Sequence, residues 1–119
     1  ILSGKSTGVF NGRIHVHPDA QKTDAIQNNQ NLLLSDDATI HTKPELEIYA
    51  DDVKCTHGAT VGQLDENGLF YLRARGLNRK EAQQILMRAY VNEIVENVSD
   101  EKIKSELMER ILERLPKEG

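Results

Sequence analysis

The fold is decided by one stretch, residues 46–61, which reads LEIYADDVKCTHGATV. Leu46, Ile48 and Ala50 alternate with polar or outward-facing residues up to an acidic turn, and the alternation resumes at Val53. Successive side chains of a strand point to opposite faces of its sheet, so this pattern is typical of half-buried strands. We therefore predict two short strands here, separated by a turn.

The same alternation occurs upstream, at Ile14 and Val16 and again at Leu32 and Leu34. The apolar pairs recur roughly every 15 residues, a spacing that suits the stacked coils of a β-solenoid. A small antiparallel sheet would show the same alternation. The periodicity alone therefore leaves both folds open for residues 1–64.

Residues 65–119 change to a helical pattern with recognisable ends. The first helix is predicted to begin after the N-cap Asp65 and to end at Gly76. A capping box of Asn78 and Glu81 begins the second helix. The third is predicted to begin after the N-cap Ser99 and to end at Pro116. Apolar residues at helical spacing are Ala82, Ile85, Leu86, Ala89, Ile94, Val95 and Val98 in the second helix and Ile103, Leu107, Ile111 and Leu115 in the third. We predict three helices that follow the strand region.

The composition excludes several classes of protein. The chain has 119 residues and a formal net charge of −4, which argues against a dedicated nucleic-acid binder. A single cysteine excludes a disulfide framework and a self-contained four-cysteine zinc site. No apolar run approaches the ~18 residues that a transmembrane helix needs. Because the chain begins at Ile1 and not at Met, we expect a fragment of a longer protein.

The segment Gly4-Lys5-Ser6-Thr7 resembles the end of a phosphate-binding loop. Such a loop is followed at once by a helix, whereas residues 8–14 have poor helix propensity and the character of a strand. We therefore predict no nucleotide site here. No hydrolase triad or paired carboxylates stand out either, so we predict that the chain is not an enzyme.

Two pairs of residues carry metal-binding chemistry. Cys55 and His57 lie two apart on a predicted strand and so face the same side. Thiolate and imidazole together suit iron or zinc, but the remaining ligands would have to come from another chain. The alternative is a buried Cys55 that behaves as a small hydrophobic residue, with His57 hydrogen-bonded at a turn. His15 and His17 also share a face, and we interpret them as solvent-facing residues because two ligands cannot close a zinc site.

A basic corner surrounds Gly76 and consists of Arg73, Arg75, Arg79 and Lys80. It could dock a partner or bind an anion, and a solvated junction between helices is the alternative. The sequence pattern leaves both interpretations open.

Residues 46–64 and 69–77 together resemble the C-terminal region of the SufB/SufD family of iron–sulfur cluster assembly proteins, and residues 8–14 and 30–34 also match. Residues 54–62, which read KCTHGATVG, resemble the SufD branch, where SufB members have a glutamate in place of Gly58. The resemblance identifies the chain as a C-terminal fragment of a SufD-like protein. The missing glutamate removes one candidate iron ligand.

The resemblance implies a fold, a role and partners. It favours a β-solenoid, in which residues 1–64 form the last coils of a right-handed parallel β-helix and residues 65–119 a small α-helical region. It implies a cytoplasmic scaffold subunit that pairs with a SufB-like subunit and docks a SufC-like ABC-type ATPase in a SufBCD complex. We expect no nucleic-acid or membrane partner. The alternative is a homodimeric interaction module whose Cys55 and His57 are purely structural.

The resemblance also assigns residues to these roles. Cys55 and His57 would lie at the cluster-assembly interface and bind iron or a transient iron–sulfur cluster together with ligands from the partner chain. The ATPase-binding residues would be Leu69, Phe70, Tyr71, Arg73, Arg75 and Arg79. We expect no cofactor in the isolated chain. We also expect a homodimer when the chain is alone, because a truncated solenoid exposes an apolar end.

Overall fold

The computed structural model describes residues 1–116 and divides into two compact units, of which the first is Ile1–Gly62 and the second begins at Gln63. The last three residues of the predicted helical region 65–119 lie outside the described residues. The first unit contains four strands, β1 (Thr7–Val16), β2 (Asp24–Leu32), β3 (Thr39–Ile48) and β4 (Lys54–Gly62).

The four strands form two parallel pairs. β1 pairs with β3 in a register that places Thr7 beside Thr39, and β2 pairs with β4 in a register that places Asp24 beside Lys54. Burial alternates along β1, β2 and most of β3, as the apolar pattern predicts. The strands are longer than the apolar pairs suggested, because β1 begins at Thr7 and includes the glycine-rich residues 8–14.

The prediction of a β-solenoid, the last coils of a right-handed parallel β-helix over residues 1–64, is wrong. Each sheet within the described residues has only two strands, whereas stacked solenoid coils would form longer parallel ladders. The antiparallel alternative is also wrong, because both pairings are parallel. The alternating pattern determines which face a side chain occupies, and it carries no information on strand direction or on the number of strands joined.

Inward-facing residues of the strand unit are small, apolar or amide-bearing. The buried apolar members are Val16, Leu32, Ala38 and Ala50. Thr42 of β3 donates a hydrogen bond from Oγ1 to Oδ1 of Asn29 in β2, at 2.6 Å, and so connects the two sheets. A Cβ atom at Gly12 would lie 2.1 Å from Nε2 of Gln27. A side chain at position 12 would therefore force the Gln27 amide to shift.

The second unit contains three helices, α1 (Glu66–Ala74), α2 (Arg79–Val95) and α3 (Glu101–Arg114). Asp65 caps α1 by accepting hydrogen bonds from two backbone amides, and Gly76 follows the helix with a φ of +100°. The predicted ends of the first helix are confirmed. The capping box of Asn78 and Glu81 is confirmed as well, with both of its hydrogen bonds present.

Two details of the helical prediction are wrong. Asp100, and not Ser99, is the N-cap of α3, because its carboxylate accepts from the amides of Lys102 and Ile103. The predicted apolar stripe of α2 is also only partly buried, since Ile85 and Ile94 are exposed. The buried side chains of the unit are Leu69, Ala82, Met87, Val91, Val95 and Leu115. None of the helices within residues 1–116 is long and apolar enough to cross a membrane.

Candidate functional site

Strand β4 carries the predicted cysteine and histidine. Cys55 is a half-buried free thiol and His57 is exposed, and their i, i+2 spacing places them on one face of the strand. The register with β2 sets Ala25 beside Cys55 and Gln27 beside His57. The structure thus brings the two predicted residues together on a strand whose other edge pairs with no strand among residues 1–116.

Gln27 is a neighbour of His57 that the sequence did not indicate. Its Oε1 atom is buried and has no hydrogen-bond partner among the described residues. A buried amide oxygen without a donor is costly, by about 1–3 kcal/mol, and calls for a polar group or a water molecule nearby. Only the strand register, which joins residues 30 apart in sequence, reveals that Gln27 is the strand neighbour of His57.

Cys55 and His57 supply two donors and no more. Within residues 1–116 no group of three or more His, Cys, Asp or Glu side chains is arranged to hold a metal ion. The donor types themselves suit iron, which accepts both thiolate and imidazole ligands. A four-coordinate iron at this place would therefore need further ligands from outside the described residues.

Position 58 has space for a larger side chain. A Cβ atom built at Gly58 would have only one neighbour within 4 Å, Oδ1 of Asn28 at 3.9 Å, which is an ordinary van der Waals separation. The backbone there is an ordinary strand without a positive φ. Steric crowding therefore does not exclude a larger side chain at position 58.

The predicted ATPase-binding residues lie at and after helix α1. Phe70 is 75% exposed and Tyr71 57% exposed, and the Arg75 guanidinium lies 4.9 Å from the centroid of the Tyr71 ring. This distance suits a cation–π contact. Arg73 is exposed as well. By contrast, Leu69 is only 4% exposed, so it supports the helix from the interior and does not contribute to the surface.

Arg79 opens helix α2 and is exposed. A separate open groove of about 690 Å³ lies between α2 and α3. Its apolar lining comes from Val95, Met108 and Leu112. This groove was not predictable from the sequence pattern, because it depends on how the two helices pack.

A histidine cluster at the end of the sheet formed by β1 and β3 was also missed. His15 Nδ1 lies 2.9 Å from Oε2 of Glu47, and the Arg13 guanidinium lies 3.2 Å from the other carboxylate oxygen. The hydrogen bond with His15, assisted by Arg13, holds the pKa of Glu47 below its usual value against a smaller opposing effect of desolvation. The adjacent His15 and His17 were visible in the sequence, but Glu47 is 32 residues away.

The segment Gly4-Lys5-Ser6-Thr7 does not form a phosphate-binding loop. Strand β1 begins at Thr7, where such a loop would continue into a helix. Ser6 instead donates its hydroxyl proton to the carbonyl oxygen of Ser3, at 2.7 Å, within a local turn.

The chain matches one family over most of its length. The family model described as SUF system FeS cluster assembly, SufBD core domain, matches residues 1–90. The iron–sulfur cluster assembly protein SufD of Escherichia coli is 51% identical over 116 residues, which cover 98% of this chain and 27% of that protein.

Two further similar proteins carry names from the same family. A SufBD family protein of Synechocystis is 48% identical over 82% of this chain and 22% of its own length. SufD of Bacillus subtilis is 31% identical over 96% of this chain and 26% of its own length. The chain thus spans about a quarter of the length of these curated relatives. The family predicted from residues 46–64 and 69–77 is confirmed, and the chain belongs to the SufB/SufD family of the SUF system, with similarity to SufD proteins.

Proposed function

We propose that this chain is part of a SufD-like scaffold subunit for iron–sulfur cluster assembly. In this proposal the strand unit pairs with a SufB-like subunit, and the helices receive a SufC-like ATPase. The chain itself performs no chemical turnover. The location that the family resemblance implies is the cytoplasm.

The observation that carries the proposal is the incomplete donor pair on β4. Cys55 is half-buried and His57 is exposed, and the described residues offer no third ligand. A cluster or iron ion held here would need a second protein to complete its coordination. Such an incomplete, accessible pair is what a transient assembly interface requires, because a closed site would retain its cargo.

The free edge of β4 supports the same interface. Its backbone amides and carbonyls on the side away from β2 pair with no strand among residues 1–116. Unpaired strand edges readily accept a strand from another chain. A SufB-like partner added at this edge would bring its own ligands close to His57.

In this role Cys55 and His57 would act as ligands of the iron or cluster that is being assembled. The Cys55 thiol would lose its proton on binding the metal. Because this chain supplies only two donors, the partner and sulfide would occupy the remaining coordination positions. Gln27, beside His57 in the register, offers an amide oxygen that could accept a hydrogen bond from the imidazole.

The experiment that tests the proposal is anaerobic reconstitution of the complete complex with SufB-like and SufC-like partners. His57→Ala and Cys55→Ser should each reduce the bound iron and acid-labile sulfide several-fold, while size-exclusion chromatography shows an intact complex. Thr56→Ala is the matched control, because Thr56 is exposed on the opposite face of the same strand. Unchanged iron and sulfide in both variants would refute the proposed site.

The alternative, a homodimeric interaction module with a structural Cys55 and His57, is favoured by the same free strand edge. It predicts that the isolated chain is a dimer in light scattering and that Cys55→Ser lowers stability without any effect on iron content. The reconstitution therefore separates the two functions by its iron analysis alone.

A further inference from the structure

Two imidazole rings lie side by side at the end of β1, on the face opposite the buried residues of this strand. The rings of His15 and His17 meet edge to face, with centroids 4.5 Å apart and an interplanar angle of 69°. Both residues are exposed, and the side chain of His15 retains 39% of its accessible surface. Two nitrogen donors are thus available to solvent at one point of the sheet.

The neighbouring strand orients one of the two rings. Glu47 stands beside His15 in the parallel register, and its Oε2 lies 2.9 Å from Nδ1 of His15. An ionised carboxylate only accepts hydrogen bonds, so Nδ1 is the donor to Glu47, and in the neutral ring the lone pair is on Nε2. A carboxylate behind a histidine in this way is the usual arrangement of metal-binding imidazoles, because it orients the ring and raises its basicity.

We propose that His15 and His17 bind a divalent transition-metal ion of borderline softness, such as Zn²⁺ or Co²⁺, with water in the remaining positions and Glu47 as a positioning residue. This site lies apart from Cys55 and His57 in the sequence and does not depend on the proposed function. Imidazole donors select ions of this class over Mg²⁺ and Ca²⁺, which prefer oxygen ligands.

The two rings lie at about the separation that one shared ion requires. With zinc–nitrogen bonds of about 2.0–2.1 Å and tetrahedral angles, two imidazoles on one ion have centroids about 5 Å apart. The observed 4.5 Å is close to this separation, and the edge-to-face rings would turn so that one nitrogen of each faces the ion. The Tyr49 ring, whose centroid is 5.2 Å from that of His15, limits the space through which this ring can turn.

Glu47 is not itself a ligand in this site. Its second oxygen, Oε1, is held by the Arg13 guanidinium at 3.2 Å, so both carboxylate oxygens are already engaged. This agrees with the lack of any metal-binding group of three acidic, histidine or cysteine side chains among residues 1–116. A site with two protein ligands exchanges its metal readily, unlike a closed structural zinc site.

The test is a titration of the 119-residue chain with Co²⁺ and Zn²⁺ by absorption spectroscopy and calorimetry, in a Cys55→Ser background that removes the only thiolate. We expect one ion per chain, and at least tenfold weaker binding after His17→Ala. Glu47→Ala should weaken binding about tenfold or more, with partial rescue by Glu47→Gln, whose amide oxygen still accepts from Nδ1.

His41→Ala is the matched control, because His41 is another exposed histidine of the same sheet and should leave the affinity unchanged. Circular dichroism checks that each variant is folded, as expected for exposed side chains. Paramagnetic broadening by Co²⁺ should be greatest at the ring protons of His15 and His17. Equal affinity of the His17→Ala and parent chains, or broadening centred elsewhere, would overturn the proposal.

Discussion

Replacing Phe70 by alanine tests the helical docking surface, which we expect to receive the SufC-like ATPase. Phe70 is 75% exposed in α1, so most of its apolar surface is free to be covered by a partner. Complete burial of a phenylalanine side chain is worth about 1.5–3 kcal/mol, and three-quarters of this amounts to about 1–2 kcal/mol. The dissociation constant should therefore rise roughly 5- to 30-fold in Phe70→Ala.

The assay is a binding titration of the chain with its cognate ATPase, measured by calorimetry or by a quantitative pull-down. Arg73→Glu should also weaken binding, because it reverses a charge on the same exposed surface. Ile103→Ala is the matched control, since Ile103 of α3 is 56% exposed and lies outside the proposed surface. Phe70→Ala should leave the free energy of unfolding within about 0.5 kcal/mol of the parent value.

Leu69→Ala separates docking from folding. Leu69 is 4% exposed, so its truncation should destabilise the helical unit by about 2–5 kcal/mol. If Phe70→Ala binds the ATPase as tightly as the parent chain while remaining folded, the surface around α1 is not the docking site. Loss of binding in Ile103→Ala to the same extent would also contradict the assignment.

Two further predictions follow from the capping and charge pairs. Asn78→Ala should lower the free energy of unfolding of the helical unit, measured in urea, by about 0.5–2 kcal/mol, because it removes the capping box. Lys80→Ala is the control and should leave this free energy unchanged. Equal free energies of unfolding in the two variants would refute the role of the cap. His15→Ala should raise the pKa of Glu47 in an NMR titration, with His41→Ala as control, because the His15 hydrogen bond is the main cause of its depression. The stabilisation from Glu47 is present above its unfolded pKa and is lost as the pH falls through the folded one. A Glu47 pKa that does not move would contradict this pairing.

Helix ends were predictable because their signals are local. Asp65, Gly76 and the Asn78–Glu81 box each act within a few residues, so the sequence alone locates them. The N-cap of α3 was misplaced by one residue because Ser99 and Asp100 are both good caps, and only the backbone decides between them.

The pairing of the strands was not predictable by the same means. Alternation identifies Ile14 and Val16 as inward-facing, and the structure agrees. The choice of partner strand, its direction and its register depend on contacts between residues about 30 apart, such as His15 with Glu47. This is why the solenoid prediction failed and why the Glu47 contact was missed, although both histidines were visible.

In the candidate site, too, local features were predictable from the sequence and long-range neighbours were not. The spacing of Cys55 and His57 places both on one face of a strand, as predicted. The buried amide of Gln27 beside them emerges only from the register with β2. The proposed role of Cys55 and His57 as iron ligands comes from the family resemblance. Neither their spacing nor their burial indicates this role by itself.

Whether this chain contributes an iron ligand to cluster assembly can be tested by pulsed electron paramagnetic resonance of the reconstituted complex. Only this chain would carry ¹⁵N-histidine, and the cluster would be reduced to a paramagnetic state. We expect a ¹⁵N coupling that His57→Ala abolishes and that His41→Ala preserves. A cluster without any ¹⁵N coupling, or a coupling that survives in His57→Ala, would contradict it.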